Sequence, residues 1–206
     1  MKNKNNLPFV SCFCPTYARP QLLEQAIESF LNQDYTGKKE LVILNDMPEQ
    51  KLEYDHPEIR IVNSPARIAP LGKKFNECVN LCRGDVLFVW DDDDIYLPWR
   101  ISYSIKNMND GIYHTRMAYF ETGTNESLKP ERNAYHANLA IDKQLFTKIG
   151  GYLEVDLRGI DIDLMQRLKV FEHSQELEEK NIFYIYRWSG TGSYHVSQWD
   201  EKSGGI

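Results

Sequence analysis

The sequence predicts an α/β fold in which a mostly parallel sheet is flanked by helices. Apolar runs of strand length alternate with segments of helical periodicity throughout the first half of the chain. This alternation is typical of parallel strands joined by right-handed crossovers. The apolar run at residues 86–90 does not alternate with polar residues, so we expect a central strand that is buried on both faces.

Each predicted element has its own signal in the sequence. Pro20 suits the first turn of a helix, and the apolar residues that follow it recur at helical spacing. Gly84 ends a second amphipathic segment, as glycine commonly does just beyond a helix. In chain order, we predict strands at residues 9–14, 40–44, 60–62 and 85–90, and helices at residues 20–31 and 71–82. The second half is less regular, with predicted strands at residues 113–120 and 182–188 and predicted helices at residues 142–149 and 160–171.

The composition indicates one globular domain without a general affinity for polyanions. A chain of 206 residues, of which 42% are hydrophobic, can bury one sizeable core. The net charge of −6 gives no reason to expect nucleic acid or an anionic membrane as a partner. Residues 1–6 lack the apolar stretch of a secretory signal, and residues 86–90 are too few to span a bilayer. We therefore expect a soluble cytoplasmic protein with no membrane span.

All four cysteines lie inside apolar segments; they are Cys12, Cys14, Cys78 and Cys82. We expect them to be reduced and buried, because small thiols are common in protein cores. The alternative, a zinc site, does not suit this combination of Cys-x-Cys and Cys-x-x-x-Cys spacings.

The strongest chemical signal is a run of four aspartates directly after the predicted central strand: Asp91, Asp92, Asp93 and Asp94. Carboxylates this close together repel one another in a crevice unless a cation neutralises them. Oxygen ligands on a short turn suit Mg²⁺ or Mn²⁺, which typically take one or two protein carboxylates. The alternative is a solvated acidic loop. We favour the metal because ligands of such sheets gather at the carboxyl ends of the strands, where Tyr17 and Asp46 are also predicted to lie.

Four ordered blocks of sequence resemble family 2 glycosyltransferases. The apolar strand, aspartate run and Pro-x-Arg pattern at residues 89–100 resemble the Asp-x-Asp motif of that family. Residues 10–19 are similar to its opening strand and nucleotide loop, and residues 67–85 to the helix before its acidic motif. The Gly-Gly-Tyr at residues 150–152, followed by residues 159–164, resembles the block that carries its catalytic base. The resemblance covers residues 8–190.

The resemblance implies a Rossmann-like GT-A fold and an inverting transfer from a nucleoside diphosphate sugar to an acceptor hydroxyl. It divides the single domain into a nucleotide-sugar-binding half at residues 8–110, a half with the acceptor and the catalytic base at residues 111–195, and a tail at residues 196–206. The cofactor is Mn²⁺ or Mg²⁺, with Asp93 as the direct ligand. Asp91 and Asp92 are expected to reach the metal, its waters or the ribose hydroxyls. Asp94 could equally cap the segment that begins at Ile95.

The nucleotide pocket implied by the resemblance comprises Pro15, Tyr17, Arg19, Asp46 and Arg67. Tyr17 offers a flat face to the base, and Asp46 can accept the imide N–H of uracil, which favours a UDP-sugar as the donor. Arg67 can donate to a uracil carbonyl or to phosphate. The structural alternatives are a half-buried core tyrosine, an aspartate in an Asx-turn and a surface ion pair.

Asp161 is the candidate general base, because it occupies the position of the base in the resembling block. An inverting transfer needs one carboxylate to take the proton of the attacking hydroxyl. Asp163 lies about 200° further around the predicted helix and is better placed to pair with Arg167. The alternative for Asp161 is a helix N-terminal charge favoured by the macrodipole.

The resemblance also suggests His195, within a late Gly-rich aromatic segment, as a residue that touches the metal or phosphate. The other histidines show no ligand spacing and are expected to be surface or satisfied core residues: His56, His114, His136 and His173.

Two departures from the family pattern affect the interpretation. Ile160 stands where the family has an acidic residue before the base, and Met47 and Pro48 replace a Gly-Ser pair after the second strand. Two other functions remain open. One is a sugar nucleotidyltransferase or other Mg²⁺-dependent phosphotransferase, although no Gly-rich phosphate loop is present. The other is a nucleotide-sugar-binding module without turnover. The acceptor is not encoded in any recognisable motif.

Overall fold

The computed structural model describes residues 7–121, 128–156 and 159–187 of the chain. The first half follows the predicted order of strands and helices, with boundaries that differ by a few residues. Its elements are β1 (Val10–Thr16), α1 (Pro20–Leu31), β2 (Lys39–Asn45), β3 (Ile59–Asn63), α2 (Leu71–Leu81) and β4 (Val86–Val89).

The second half contains shorter elements, several of which the sequence does not reveal. They are β5 (Ile95–Tyr96), α3 (Arg100–Asn107), β6 (Ile112–Tyr113), β7 (Met117–Glu121), β8 (Lys129–Arg132), β9 (Ala140–Asp142), α4 (Lys143–Lys148), α5 (Ile160–Arg167), α6 (Val170–His173) and β10 (Tyr184–Arg187). Short 3₁₀ helices span His136–Asn138 and Glu179–Asn181.

Within the described ranges, the strands form two sheets. The larger sheet has six strands in the order β3-β2-β1-β4-β9-β6, and the smaller has four in the order β5-β10-β7-β8. β1 pairs in parallel with both β2 and β4, whereas β9 runs antiparallel to β4. The carboxyl ends of β1, β2 and β4 therefore meet at one edge of the larger sheet. The predicted α/β class with a mostly parallel central sheet is confirmed.

Two predicted elements are each divided in the structure. The strand predicted at residues 113–120 is split, because β6 pairs with β9 in the larger sheet while β7 pairs with β10 and β8 in the smaller one. Between them, Asn138 donates from Nδ2 to the carbonyls of Thr115 and Met117 at 3.0 Å each. The helix predicted at residues 160–171 breaks at Lys169, whose φ of 51° is left-handed.

Burial explains why the sequence predicts the first half well. Every residue of β2 and of β4 is buried, as expected for strands covered on both faces. α1 buries its apolar stripe against one face of the sheet, and α2 packs on the other. All four cysteines are buried and free, as predicted. Burial raises the pKa of each thiol, so these cysteines are inert core residues.

A fully buried cation, Arg100, joins the two halves of the chain. Its Nη2 donates to the carbonyl oxygens of Val89, at 2.6 Å, and Ala137, at 2.5 Å. The guanidinium also lies 3.9 Å from the ring centroid of Tyr96. Arg100 therefore fixes the end of β4 to the 3₁₀ helix at His136–Asn138, which belongs to the second half.

No helix in the described part of the chain is long and apolar enough to cross a membrane.

The two halves of the chain also pack closely where Gly72, in α2, lies against the backbone of Leu153. This contact provides a test of the packing. A Cβ at Gly72 would lie 1.9 Å from the carbonyl oxygen of Leu153. We predict that Gly72→Ala destabilises the protein by about 2–3 kcal/mol or more, despite the better helix propensity of alanine, because backbone must move. Denaturant unfolding measures the change.

Gly150→Ala is the matched control for Gly72→Ala. Gly150 has a φ of 82°, but a Cβ at this position would have no atom within 4 Å, so only backbone strain of about 1 kcal/mol is expected. A Gly72→Ala protein as stable as the wild type would contradict the close approach of α2 to Leu153.

Candidate active site

Two of the four aspartates bind the same arginine. Arg19, in the loop between β1 and α1, donates from Nη2 to Asp92 Oδ1 and from Nη1 to Asp93 Oδ2, both at 2.6 Å. Both aspartate side chains are buried, and Arg19 is 25% exposed. The loop after β1 thus supplies a positive charge to the acidic run after β4, because the two strands are parallel neighbours. Arg19, expected in the nucleotide loop, therefore also contacts the acidic run directly.

Asp92 is further tied to β1 by Thr16. The Thr16 hydroxyl donates to Asp92 Oδ2 at 2.5 Å. Burial raises the pKa of Asp92 to about 6, while Arg19 opposes the shift and the neighbouring Asp93 adds to it. The second oxygen of Asp92 is already engaged by Arg19, so both oxygens of this carboxylate are held by the protein.

Asp94 has a structural position. Its Oδ2 accepts from the Tyr184 hydroxyl at 2.6 Å, and its Oδ1 accepts from the Arg187 amide at 2.9 Å. Burial raises the pKa of Asp94, and the adjacent carboxylates raise it further. The suggestion that Asp94 caps a segment from Ile95 is wrong: Ile95 begins β5, and the carboxylate bonds to β10 instead. Asp94 therefore joins the acidic run to the smaller sheet.

Asp91 is the aspartate of the run that is not buried. Its backbone amide donates to the Tyr96 hydroxyl at 2.9 Å, and its side chain is of intermediate exposure. Tyr96 in turn stacks on Tyr184, with ring centroids 5.3 Å apart. The turn at residues 91–94 thus rests on buried aromatic rings, and its first residue faces the solvent side.

At the end of β2, Asp46 is the centre of a second charged cluster. Its Oδ1 lies 2.6 Å from Lys74 Nζ and 2.7 Å from Arg67 Nη1, and its Oδ2 accepts from the Ile68 amide at 2.9 Å. Asp46 is fully buried, whereas the Arg67 side chain is half exposed. The guanidinium of Arg67 lies 3.8 Å from the centroid of the Tyr17 ring.

The structure brings most of the predicted nucleotide residues together. Tyr17 is exposed rather than a core tyrosine, and it contacts Arg67, which contacts Asp46. Pro15 is a half-buried residue within β1 itself. Arg67 does form an ion pair, as the structural alternative supposes, but its partner is the buried Asp46 rather than another surface group.

Lys74 is a site residue that the sequence analysis misses. It is buried, and its Nζ donates to the Thr16 carbonyl at 2.8 Å as well as contacting Asp46. Burial lowers the pKa of Lys74, and Asp46 opposes the change. A signal is present: Lys74 lies three residues after Leu71 and four before Cys78, which places a charge inside the apolar stripe of α2.

Asp161 lies in the first turn of α5 and is half-buried. Its carboxylate accepts no hydrogen bond from the described part of the chain. Asp163 pairs with Arg167 Nε at 2.7 Å, as predicted. Arg167 also donates to the carbonyls of Ile149 and Gly151, so the pair fixes α5 to the Gly-Gly turn.

His195 lies outside the described residues. Among the described residues, no three His, Cys, Asp or Glu side chains converge as a ready-made metal cage. The acidic run fits a cation: Asp92 and Asp93 converge on the Arg19 guanidinium at 2.6 Å each, and Asp91, two residues before Asp93, is the most exposed carboxylate of the run. Mg²⁺ and Mn²⁺ sites in nucleotide enzymes typically combine one or two carboxylates with substrate phosphate oxygens.

Comparison with solved structures supports the GT-A fold. The chain is similar to the mannosyltransferase PcManGT from Pyrobaculum calidifontis, solved in complex with GDP-Man and Mn²⁺, at a TM-score of 0.66 and 16% identity. That match covers 93% of this chain and 60% of the other. It is also similar to S. aureus TarS 1-349 in complex with UDP, at a TM-score of 0.62 and 12% identity, over 86% of this chain and 60% of that one.

Curated sequences give the same assignment. The chain is 30% identical over 116 residues to the GalNAc(5)-diNAcBac-PP-undecaprenol beta-1,3-glucosyltransferase of Campylobacter jejuni. That match covers 52% of this chain and 37% of the relative. The chain spans about two fifths of the length of the curated relatives that it matches. The family model for glycosyl transferase family 2 matches residues 11–155, well over half of the sequence. The chain therefore belongs to glycosyl transferase family 2.

Proposed function

We propose that the chain transfers a sugar from a nucleoside diphosphate sugar, with UDP as the nucleotide, to an acceptor hydroxyl with inversion at the anomeric carbon. The observation that carries this proposal is the convergence of two charged clusters at the carboxyl ends of β1, β2 and β4. One centres on Asp46 and the other on Asp92 and Asp93. Residues 8–110 would bind the donor, and residues 111–195 would supply the base.

The cluster around Asp46 suits a uracil base. A carboxylate has about four acceptor positions, and three are used by Lys74, Arg67 and the Ile68 amide. One position remains for a single N–H, which matches the imide of uracil. Because Asp46 is fully buried, we expect the half-exposed Arg67 side chain to shift while keeping its ion pair, so that the base can reach this position. Guanine presents two adjacent donors on the same edge and would need a second acceptor. The exposed ring of Tyr17 offers a stacking surface next to this carboxylate.

The acidic run is the proposed site of the divalent cation and the diphosphate. Asp93 and Asp91 would hold Mn²⁺ or Mg²⁺, with His195 as a further candidate for contact with the metal or phosphate. When bound, the cation neutralises charge on the departing diphosphate as a Lewis acid. Asp92, fixed by Thr16, orients the turn, and the long side chain of Arg19 can donate to phosphate oxygens as well as to carboxylates.

Asp161 is the proposed general base. It lies at the start of α5, which contacts the 3₁₀ helix at His136–Asn138, and that helix in turn contacts β4. A carboxylate that accepts no hydrogen bond from the described residues keeps its lone pairs for the acceptor hydroxyl. Because Asp163 is engaged by Arg167, one base serves the reaction, as an inverting transfer requires.

The names of similar proteins support a nucleotide-sugar donor. Solved neighbours include S. aureus TarS 1-349 with UDP and with UDP-GlcNAc, and PcManGT with GDP-Man and Mn²⁺. These neighbours differ in nucleotide, so the choice of UDP rests on the contacts of Asp46. A nucleotidyltransferase or a binding module without turnover predicts nucleotide binding but no glycoside product.

We predict that UDP binds at least about tenfold more tightly than GDP, because Asp46 has one acceptor position left for the base. Asp46→Asn should weaken UDP binding, since the amide no longer holds Lys74 and Arg67. Calorimetric competition between the two nucleotides, with Mn²⁺ present, gives the ratio. Glu53→Gln, at an exposed carboxylate paired with Lys51, is the matched control and should change neither affinity. Equal affinity for GDP would remove the uracil interpretation of Asp46.

We predict that Asp161→Asn lowers turnover by about 10²–10⁴-fold while leaving UDP affinity unchanged, because an amide keeps the shape but cannot take a proton. Asp163→Asn is the control: it should cost about 0.5 kcal/mol of stability through its pair with Arg167 and leave the chemistry intact. Turnover and the anomeric configuration of the product are measured with an acceptor found by screening. An active Asp161→Asn enzyme or a retained configuration would overturn the single-base mechanism.

A further inference from the structure

The 3₁₀ helix at His136–Asn138 contacts both β4, the strand that precedes the acidic run, and α5, the helix that carries the proposed base. β9 is antiparallel to β4, with Ala140 opposite Phe88, so the residues that precede β9 extend past the carboxyl end of β4. Arg100 fixes this arrangement by donating to both Val89 and Ala137. On its other side the short helix packs against α5, which carries Asp161.

The first residue of that helix, His136, is held in a defined orientation. Its Nε2 lies 2.7 Å from the hydroxyl of Tyr152, and its ring packs edge-on against Phe75 and Tyr152. Tyr152 is itself fixed by Asn76, which donates to its carbonyl and accepts from its amide, both at 2.9 Å. The imidazole is therefore placed by residues of both halves of the chain.

His136 differs from the other well-packed histidine of the structure, His114. Both ring nitrogens of His114 have partners, Ser174 Oγ at 2.7 Å and the Tyr135 carbonyl at 3.0 Å. His136 has one, and its Nδ1 has no hydrogen-bond partner among the residues that the structure describes. The residue is also only half-buried. His136 thus departs from the expectation of a surface or satisfied core histidine.

Tyr152 and His136 both lie close enough to Asp161 to sense its charge, and Tyr152 also senses Asp91. Burial raises the pKa of Tyr152, and Asp91 and Asp161 raise it further. Burial lowers the pKa of His136 to about 4, with Asp161 opposing the change, so the imidazole is neutral at pH 7. A neutral imidazole that keeps one nitrogen for a partner can donate to or accept from a hydroxyl, according to its tautomer.

We propose that His136, oriented by Tyr152, hydrogen-bonds a hydroxyl of the transferred sugar and forms part of the donor sugar subsite. In an in-line displacement the sugar ring lies between the leaving diphosphate, proposed near Asp91 and Asp93, and the base Asp161. His136 lies close to that base, on a 3₁₀ helix that contacts both β4 and α5. The inference rests on the proposed function and deepens it. The uracil and the phosphates of the donor bind to other residues, whereas His136 contacts only the sugar.

The test separates sugar binding from nucleotide binding. Calorimetry in the presence of Mn²⁺ gives the affinity for UDP and for three UDP-sugars: UDP-glucose, UDP-galactose and UDP-N-acetylglucosamine. For each protein variant, the affinity for the UDP-sugar is divided by the affinity for UDP, and this ratio is compared with that of the wild type. His136→Ala should lower that ratio about tenfold for the preferred sugar, with UDP affinity within about twofold of the wild type. Tyr152→Phe, which keeps the ring but removes the hydroxyl that orients the imidazole, should lower the ratio by a smaller factor.

Two control variants separate a specific loss of sugar binding from a general loss of structure. His136→Asn, whose amide can stand in for Nδ1, should recover part of the ratio, and His114→Ala should leave it unchanged. The inference would be overturned if the ratio were unaltered in both His136→Ala and His136→Asn. It would also be overturned if His114→Ala lost as much as His136→Ala, or if the wild-type ratio were one for every sugar. The affinity of the wild-type protein for UDP is a separate measurement. If the wild type binds no UDP, the proposed function is wrong, and so is this subsite.

Discussion

The need to neutralise four adjacent carboxylates at the end of a buried strand governs the arrangement of the site. β4 is buried throughout, and it delivers the aspartate run into a crevice where water screens charge poorly. The structure distributes the charges among different partners. Asp92 and Asp93 share the Arg19 guanidinium, and Asp94 is buried among donors from β10. Asp91 is left at the more exposed end of the turn.

This distribution separates a structural aspartate, Asp94, from Asp91 and Asp93, for which we propose cation binding. Asp94 joins the larger sheet to the smaller one, so it cannot leave its partners without disturbing β10. Asp93 can take a second role, because an arginine that is 25% exposed can exchange carboxylate oxygens for phosphate oxygens. The buried Arg100 holds the end of β4, just before the run, through the Val89 carbonyl, and it also contacts the ring of Tyr96 just after the run. Buried ion pairs contribute little net stabilisation, so stability alone does not explain a charged cluster of this kind.

The sequence predicts those features that local patterns determine. The alternating strands and helices of the first half are recognisable because each strand is an apolar run and each helix an apolar stripe. The pair between Asp163 and Arg167 follows from helical spacing. The antiparallel strand β9 is not predicted, since three residues carry no periodicity, and it depends on pairing with the distant β4. The division of residues 113–120 between two sheets likewise arises from partners far away in the chain.

The candidate site shows the same contrast. The aspartate run, Asp46 and Arg67 are recognisable as residue types in order, but their partners are not. Lys74 and Thr16 join the two clusters through contacts that span 58 to 76 residues, which no local pattern encodes. His136 has no ligand spacing, and its significance arises from where Arg100 and Tyr152 hold it. Sequence spacing reveals residues that lie together on one helix or strand, whereas the residues of this site come from several elements.

We propose that Asp93 binds the cation of the donor while Asp94 remains a structural residue. A crystal structure with UDP and Mn²⁺, in which anomalous scattering locates the manganese, would decide between these roles. We expect manganese bonded directly to a carboxylate oxygen of Asp93 and to a diphosphate oxygen, with Asp94 still bonded to Tyr184 and Arg187. A diphosphate bound with manganese away from Asp91 and Asp93, or manganese on Asp94, would contradict it.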